Sequence, residues 1–156
     1  MTDAGRKAIQ ARFVVNLIED AQNRLLFLKR APHLQRSPGQ WGLCSGGIEA
    51  GETPGIASAR ELREELGGGI EIEPLREFGP VRDRAFGGIY EFHLFHFRWR
   101  GGTIRLNHEH TEYAWIAKEA FRNYDVMPGL DEDILYLEIW PRVFLRAEFL
   151  PPEQQA

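Results

Sequence analysis

Glu61, Glu64 and Glu65 lie within five residues of one another, in a segment whose apolar positions have helical spacing. At about 100° per residue the three side chains fall within an arc of roughly 100°, so one helix face carries three like charges. Carboxylates at i, i+3 and i+4 repel, and helix formation does not call for that arrangement. A hard divalent cation would offset the repulsion, because Mg²⁺ takes oxygen ligands and keeps waters and phosphates in its shell. The competing reading is a solvated acidic face, which three glutamates alone would favour. The preceding loop shifts the balance. Gly46, Gly47 and Gly51 let the backbone approach a ligand closely and leave carbonyl or N–H groups free to face it.

The elements around this cluster can be read from period and punctuation. From Thr53 to Leu66, Ala59, Leu62 and Leu66 recur at i, i+3 and i+7, which predicts a helix with this stripe on a core and the glutamates turned away from it. Thr53 suits the N-cap, Pro54 the first turn, and Gly67-Gly68-Gly69 the end. Phe13–Ile18 and Leu25–Leu28 read as strands joined by the polar turn 19–23. Ala31–Gln40 reads as a loop, and Trp41–Ser45 as a short strand closed by Gly46-Gly47. Ile89–Trp99, dense in aromatic and branched residues, predicts a long strand of an antiparallel meander, with His93, Phe95, Phe97 and Trp99 on one face. Tyr113–Ile116 predicts a further strand, and Asp131–Trp140 a helix stopped by Pro141. The order implies an α+β fold, with helices packed on a mixed sheet.

The spacing Gly46-x5-Glu52-x7-Arg60-Glu61-Leu62-x-Glu64-Glu65-x-Gly67 resembles the Nudix box, with every fixed position filled. One departure is Gly68, where the box usually continues with an aliphatic residue. The resemblance implies the Nudix fold, a mixed β-sheet sandwiched between α-helices. It also implies a Mg²⁺- or Mn²⁺-dependent hydrolase that cuts a diphosphate bond in a nucleoside diphosphate linked to another moiety. Carried over by position, Glu64 and Glu65 would be the principal metal ligands, with Glu61 as ligand or base. The Gly46 carbonyl is a further candidate ligand. Arg60 would orient the glutamates through salt bridges, and Glu52 would support them from the loop. A later acidic residue, Glu109 in preference to Glu112, would add a carboxylate as base or ligand. The partner implied is a small phosphorylated nucleotide, such as a nucleoside triphosphate or nucleotide sugar.

Other residues weigh less. His108 and His110 could share a strand face, but a transition-metal site needs a third ligand that the sequence does not single out. His93 and His96 should point to opposite faces. Phe95, Phe97 and Trp99 read as core. Lys29 and Arg30 end a strand, and Arg82 and Arg84 form a basic turn that could touch substrate. Pro32–Gln40 and Gly79–Gly88 are the expected substrate selectors, and Pro80 only hints at nucleotide sugars. Two alternatives stand beside the hydrolase. One is an isomerase of isopentenyl diphosphate on the same fold, whose cysteine would align with Ser45 rather than Cys44. The other is a non-catalytic nucleotide sensor, a class that usually lacks a box glutamate, whereas none is missing here.

Composition sets outer bounds. The chain has 156 residues, 43% hydrophobic and 27% charged, the mix of an ordinary globular domain. It reads as one domain over 1–156, with frayed tails at 1–10 and 151–156. A net charge of −4 argues against bulk nucleic-acid binding. Cys44 is the only cysteine, so no intrachain disulfide or cysteine-based zinc site is expected. Neither a leader nor a membrane-length apolar run is recognisable, so a cytoplasmic location is expected. A homodimer is compatible with all of this.

Overall fold

The structure, a computed structural model, describes residues 7–152. Its centre is set by two strands that are apolar on both faces, β1 (Ala11–Glu19) and β2 (Leu25–Arg30). Val15, Leu17, Leu25 and Phe27 face one core, while Val14, Ile18, Leu26 and Leu28 face another. Near-continuous apolar runs of this kind belong to strands covered on both sides. The turn between them is tied by the Asp20 carboxylate, which accepts from the Gln22 and Arg24 N–H groups at 3.0 and 2.9 Å.

The remaining elements in chain order are β3 (Trp41–Gly42), β4 (Cys44–Gly47), α1 (Pro54–Leu66), β5 (Ile70–Arg82), β6 (Tyr90–Gly102), β7 (His110–Ile116) and α2 (Leu130–Tyr136). The strands form one sheet with the path β3-β2-β1-β6-β5, while β4 also pairs β1 and β7 pairs β2. β1 and β6 run parallel and the other pairings are antiparallel, so the sheet is mixed. Ala57, Leu62 and Leu66 seat α1 on one face, against Cys44, Phe95 and Phe97 among others. Leu130, Ile134 and Leu137 seat α2 on the other, where Phe121, Trp140 and Leu145 complete the core. The α+β sandwich expected from the sequence is the one observed. None of the described helices is long and apolar enough to cross a membrane.

Four local expectations are corrected. The long strand β6 lies between an antiparallel β5 and a parallel β1, so it is not part of a simple meander. β5 itself was not expected, because Pro74, Gly79 and Pro80 punctuate it. It is an edge strand with three register shifts, the setting in which proline and glycine are tolerated. The Gly79–Gly88 loop therefore shrinks: Arg82 ends β5, and Asp83 caps the turn by accepting from the Phe86, Gly88 and Tyr90 N–H groups. α2 stops at Tyr136 rather than Trp140, since Glu138 adopts a left-handed φ of 55° and turns the chain. The Trp41–Ser45 segment is two short strands, and Gly46-Gly47 lie within the second instead of closing it. Of the end segments, residues 1–6 and 153–156 lie outside the described residues. Gln10 bonds the Ile89 carbonyl and Pro151 is buried.

One polar contact locks α1 in register on the sheet. Asn16, buried on β1, accepts from the Ser58 hydroxyl at 2.5 Å and donates to the Ser58 carbonyl at 3.5 Å. Asn16→Ala should cost about 1–3 kcal/mol, the penalty for leaving a buried partner unsatisfied. Urea unfolding at unchanged m-value measures it, and a loss under 0.5 kcal/mol would mean that packing alone holds the helix.

Candidate active site

The helix presents its carboxylates differently from the simple stripe. Ala59 is exposed, and the buried positions are Ala57, Ser58, Glu61, Leu62, Glu65 and Leu66. Glu61 and Glu65 therefore point into the seam between α1 and β4, and only Glu64 is exposed. Thr53 caps the helix by accepting from the Ile56 N–H at 3.2 Å, as expected.

Arg60 holds one half of the cluster. Its Nε and a terminal nitrogen grip both oxygens of Glu52 at 2.7 and 2.9 Å, a bidentate pairing. The other terminal nitrogen donates to Glu61 at 2.8 Å and Glu64 at 3.3 Å, and the fork also reaches the Gly47 carbonyl at 2.8 Å. The Arg60 contact holds the Glu52 carboxyl down at about 2. Gly46 lies directly under Glu61: a Cβ there would sit 2.0 Å from Glu61 Oε1, so any side chain would displace the carboxylate.

Glu65 forms the other half. It is 2% exposed, accepts from the Ser45 N–H at 3.0 Å, and forms no ion pair among the described residues. Burial, then the nearby Glu61, pushes its carboxyl well above the ordinary range. Burial also raises Glu61, against the pull of Arg60. A ring nitrogen of His110 and one carboxylate oxygen each from Glu65 and Glu109 lie within 4.8 Å of one another. His110 is held down at about 4 by burial, then by Arg30. Glu112 is elsewhere, exposed and paired with Lys29 at 3.5 Å.

A cavity of about 370 Å³ shares Ser45 with this cluster. Phe13, Phe86, Tyr90, Phe92 and Phe149 supply apolar walls. Arg36 lies over the Phe13 and Tyr90 rings at 5.7 and 5.6 Å, a cation–π geometry. Arg84 pairs with Glu132 at 3.2 Å on the rim, and burial followed by Glu132 pushes the neighbouring Asp133 carboxyl well up.

A family model described as the NUDIX domain matches residues 9–135. Over 126 residues the chain is 32% identical to the nucleoside triphosphatase NudI of Escherichia coli, covering 75% of this chain and 89% of that protein. The NudI of Shigella flexneri matches with the same figures. The chain belongs to the Nudix family. A solved MutT protein from Methanosarcina mazei superposes with a TM-score of 0.65 at 24% identity, covering 80% of this chain and 87% of that one. The Deinococcus radiodurans protein DR0079 does so with 0.66 at 21%, covering 90% and 89%; both share the fold. As a Nudix enzyme, the chain is a pyrophosphohydrolase.

The structure of this Nudix enzyme brings together Gly46, Glu52, Arg60, Glu61 and Glu64, and sets Glu65 beside Glu109. Lys29 does not join them. His110, set aside from sequence, does, and the loop segment 32–40 contributes Arg36 to the cavity. The expected selector segment Gly79–Gly88 contributes Asp83, Arg84 and Phe86 to the cavity lining, while Phe13, Tyr90 and Phe92 come from strands and Phe149 from a 3-10 turn near the C-terminus. A cheap sequence signal for His110 was its place next to Glu109.

The buried Glu65 fixes a pH dependence. A carboxyl raised in the folded state binds its proton more tightly there, so the stability it contributes is present at low pH and is lost as pH rises above the ordinary carboxylate range. In chelator, Glu65→Gln, which keeps the Ser45 bond, should lose less melting temperature, or gain more, from pH 5 to pH 8 than the unmodified chain; His110, held down, acts in the opposite direction in both. Parallel pH profiles for both proteins in scanning fluorimetry would contradict this reading of Glu65.

Proposed function

We propose that this enzyme hydrolyses a phosphoanhydride bond of a nucleoside triphosphate with the help of a divalent ion, Mg²⁺ or Mn²⁺. The observation that carries the proposal is Ser45, which lines an aromatic cavity and hydrogen-bonds Glu65 through its own backbone. The cavity falls in the range of about 300–1,000 Å³ typical of small-molecule sites, and its apolar walls suit a nucleobase. A base seated there would lead its phosphates toward the carboxylates. The name of the NudI relatives supports the triphosphate over a nucleotide sugar.

The residues fit a hard divalent ion. The donors are carboxylates, Gly46 has no side chain to obstruct its carbonyl, and Glu65 is buried with no cationic side chain paired to it among the described residues. Glu64, Glu65 and the Gly46 carbonyl would hold the ion, and Glu109 would face it from the β7 end. When bound, it would offset the phosphate charge and acidify a water at the site. Arg60 holds Glu61 and Glu64 in place through a guanidinium that Glu52 anchors. Glu61, held between Arg60 and Gly46, would take the proton of the attacking water.

The isomerase alternative needs a reactive cysteine facing substrate. Cys44 is 1% exposed, turned toward Asn16 and α1, and burial pushes its thiol up, so it serves as packing.

Turnover should require Mg²⁺ or Mn²⁺ and vanish in EDTA. Glu64→Gln should lower turnover of the best triphosphate by at least ~10², while Arg63→Gln, exposed on the same helix, stays within a few-fold. A screen over nucleoside triphosphates, ADP-ribose and other nucleotide sugars, with products identified, checks the substrate class. Tight binding without products would favour the sensor, faster cleavage of a sugar would shift the substrate, and equal losses in both variants would mean general damage to α1.

A further inference from the structure

The chain spends a local irregularity of its sheet on placing His110. Leu26, Leu28 and Arg30 alternate onto the α1 face of β2, and Trp115 and Tyr113 lie opposite the first two. Strict alternation would set Thr111 opposite Arg30. Instead the register slips by one residue, and His110 takes that place. A bulge of this kind turns the following side chains to the other face of the sheet. Here it turns an imidazole toward the face that carries Glu65. Backbone contacts hold the same corner: the Glu109 N–H donates to Asn107 Oδ1 at 3.1 Å and its carbonyl accepts from the Ala31 N–H at 2.8 Å.

His110 is 6% exposed, and its Nδ1 is buried with no hydrogen-bond partner. A ring nitrogen of this residue nevertheless lies within 4.8 Å of the Glu65 and Glu109 oxygens, which lie equally close to each other. Donors on one ion, each about 2.1 Å from it, are at most ~4.2 Å apart. Small side-chain adjustments would therefore let all three meet a single centre. The Ser45 N–H already engages one Glu65 oxygen, the kind of supporting bond that orients metal ligands.

We propose that Glu65, Glu109 and His110 form a mixed oxygen–nitrogen subsite that takes Mn²⁺ in preference to Mg²⁺. This rests on the reading that Glu65 and Glu109 face a bound ion, and it adds the nitrogen. First-row transition ions accept imidazole nitrogen, Mn²⁺ the least strongly of them, whereas Mg²⁺ selects oxygen. The subsite therefore discriminates between two ions that the carboxylates alone would accept.

Mn²⁺ added to the metal-stripped full-length chain, without nucleotide, tests this by pulsed electron paramagnetic resonance. The spin echo should carry ¹⁴N modulation from a directly bound imidazole, and His110→Gln should abolish it. The same variant should weaken Mn²⁺ at least tenfold, read from free Mn²⁺ in titration, and Mg²⁺ by no more than about twofold, read by competition. Bound Mn²⁺ without ¹⁴N modulation in the unmodified chain would overturn the role of His110 while leaving the carboxylate site standing. No Mn²⁺ binding would overturn both. Equal weakening of the two ions would make His110 a packing residue. Because the unmodified chain alone decides the nitrogen ligand, a poorly folding variant does not remove the test.

Discussion

A carboxylate buried without a matching cation is the constraint from which the rest of this site follows. Glu65 sits in the seam between α1 and β4, held by a backbone N–H from Ser45, and forms no ion pair with lysine or arginine among the described residues. Burying such a charge is costly unless it is paired, protonated or bound to metal. Arg60 is committed to Glu52, Glu61 and Glu64, and Arg30 acts on Glu65 through space without an ion pair. The box thus divides into a clamped half that is rigid before any ligand arrives and an uncompensated half that asks for one.

The fold makes that division durable. Asn16 and Ser58 fix α1 against β1, so the glutamates cannot drift apart to relieve their repulsion. Gly46 yields the volume that Glu61 occupies, which makes the absence of a side chain as functional as the carboxylate above it. Cys44 and Ser45, adjacent on β4, face different tasks: one packs beneath the helix and the other borders the cavity. Two cores, one on each face of the sheet, therefore meet the chemistry along a single short strand.

Much of this was legible in the sequence, and the reasons differ by element. The helix announced itself by Thr53, Pro54 and Gly67, and the box by the fixed spacing of Gly46, Glu52, Arg60, Glu61, Glu64 and Glu65. Periodicity misplaced the helix face, because Glu61 and Glu65 occupy seam positions that a hydrophobic count assigns to solvent. β5 was hidden by Pro74, Gly79 and Pro80, whose breaker signals carry less weight on a bulged edge. α2 was read too long because the apolar run continues past Tyr136, while the left-handed Glu138 ends the helix. The sequence offers His110 only as a possible metal partner of His108, because the orientation that sets it beside Glu65 depends on a one-residue slip in a long-range pairing, which no local pattern records.

Anomalous diffraction from crystals of the protein grown with Mn²⁺ and a non-hydrolysable nucleoside triphosphate tests the central claim most directly. The account predicts an anomalous peak in contact with the Glu65 carboxylate in the seam between α1 and β4, with the base density inside the aromatic cavity beyond Ser45. A Mn²⁺ peak distant from Glu65, or a nucleotide seated away from that cavity, would contradict it.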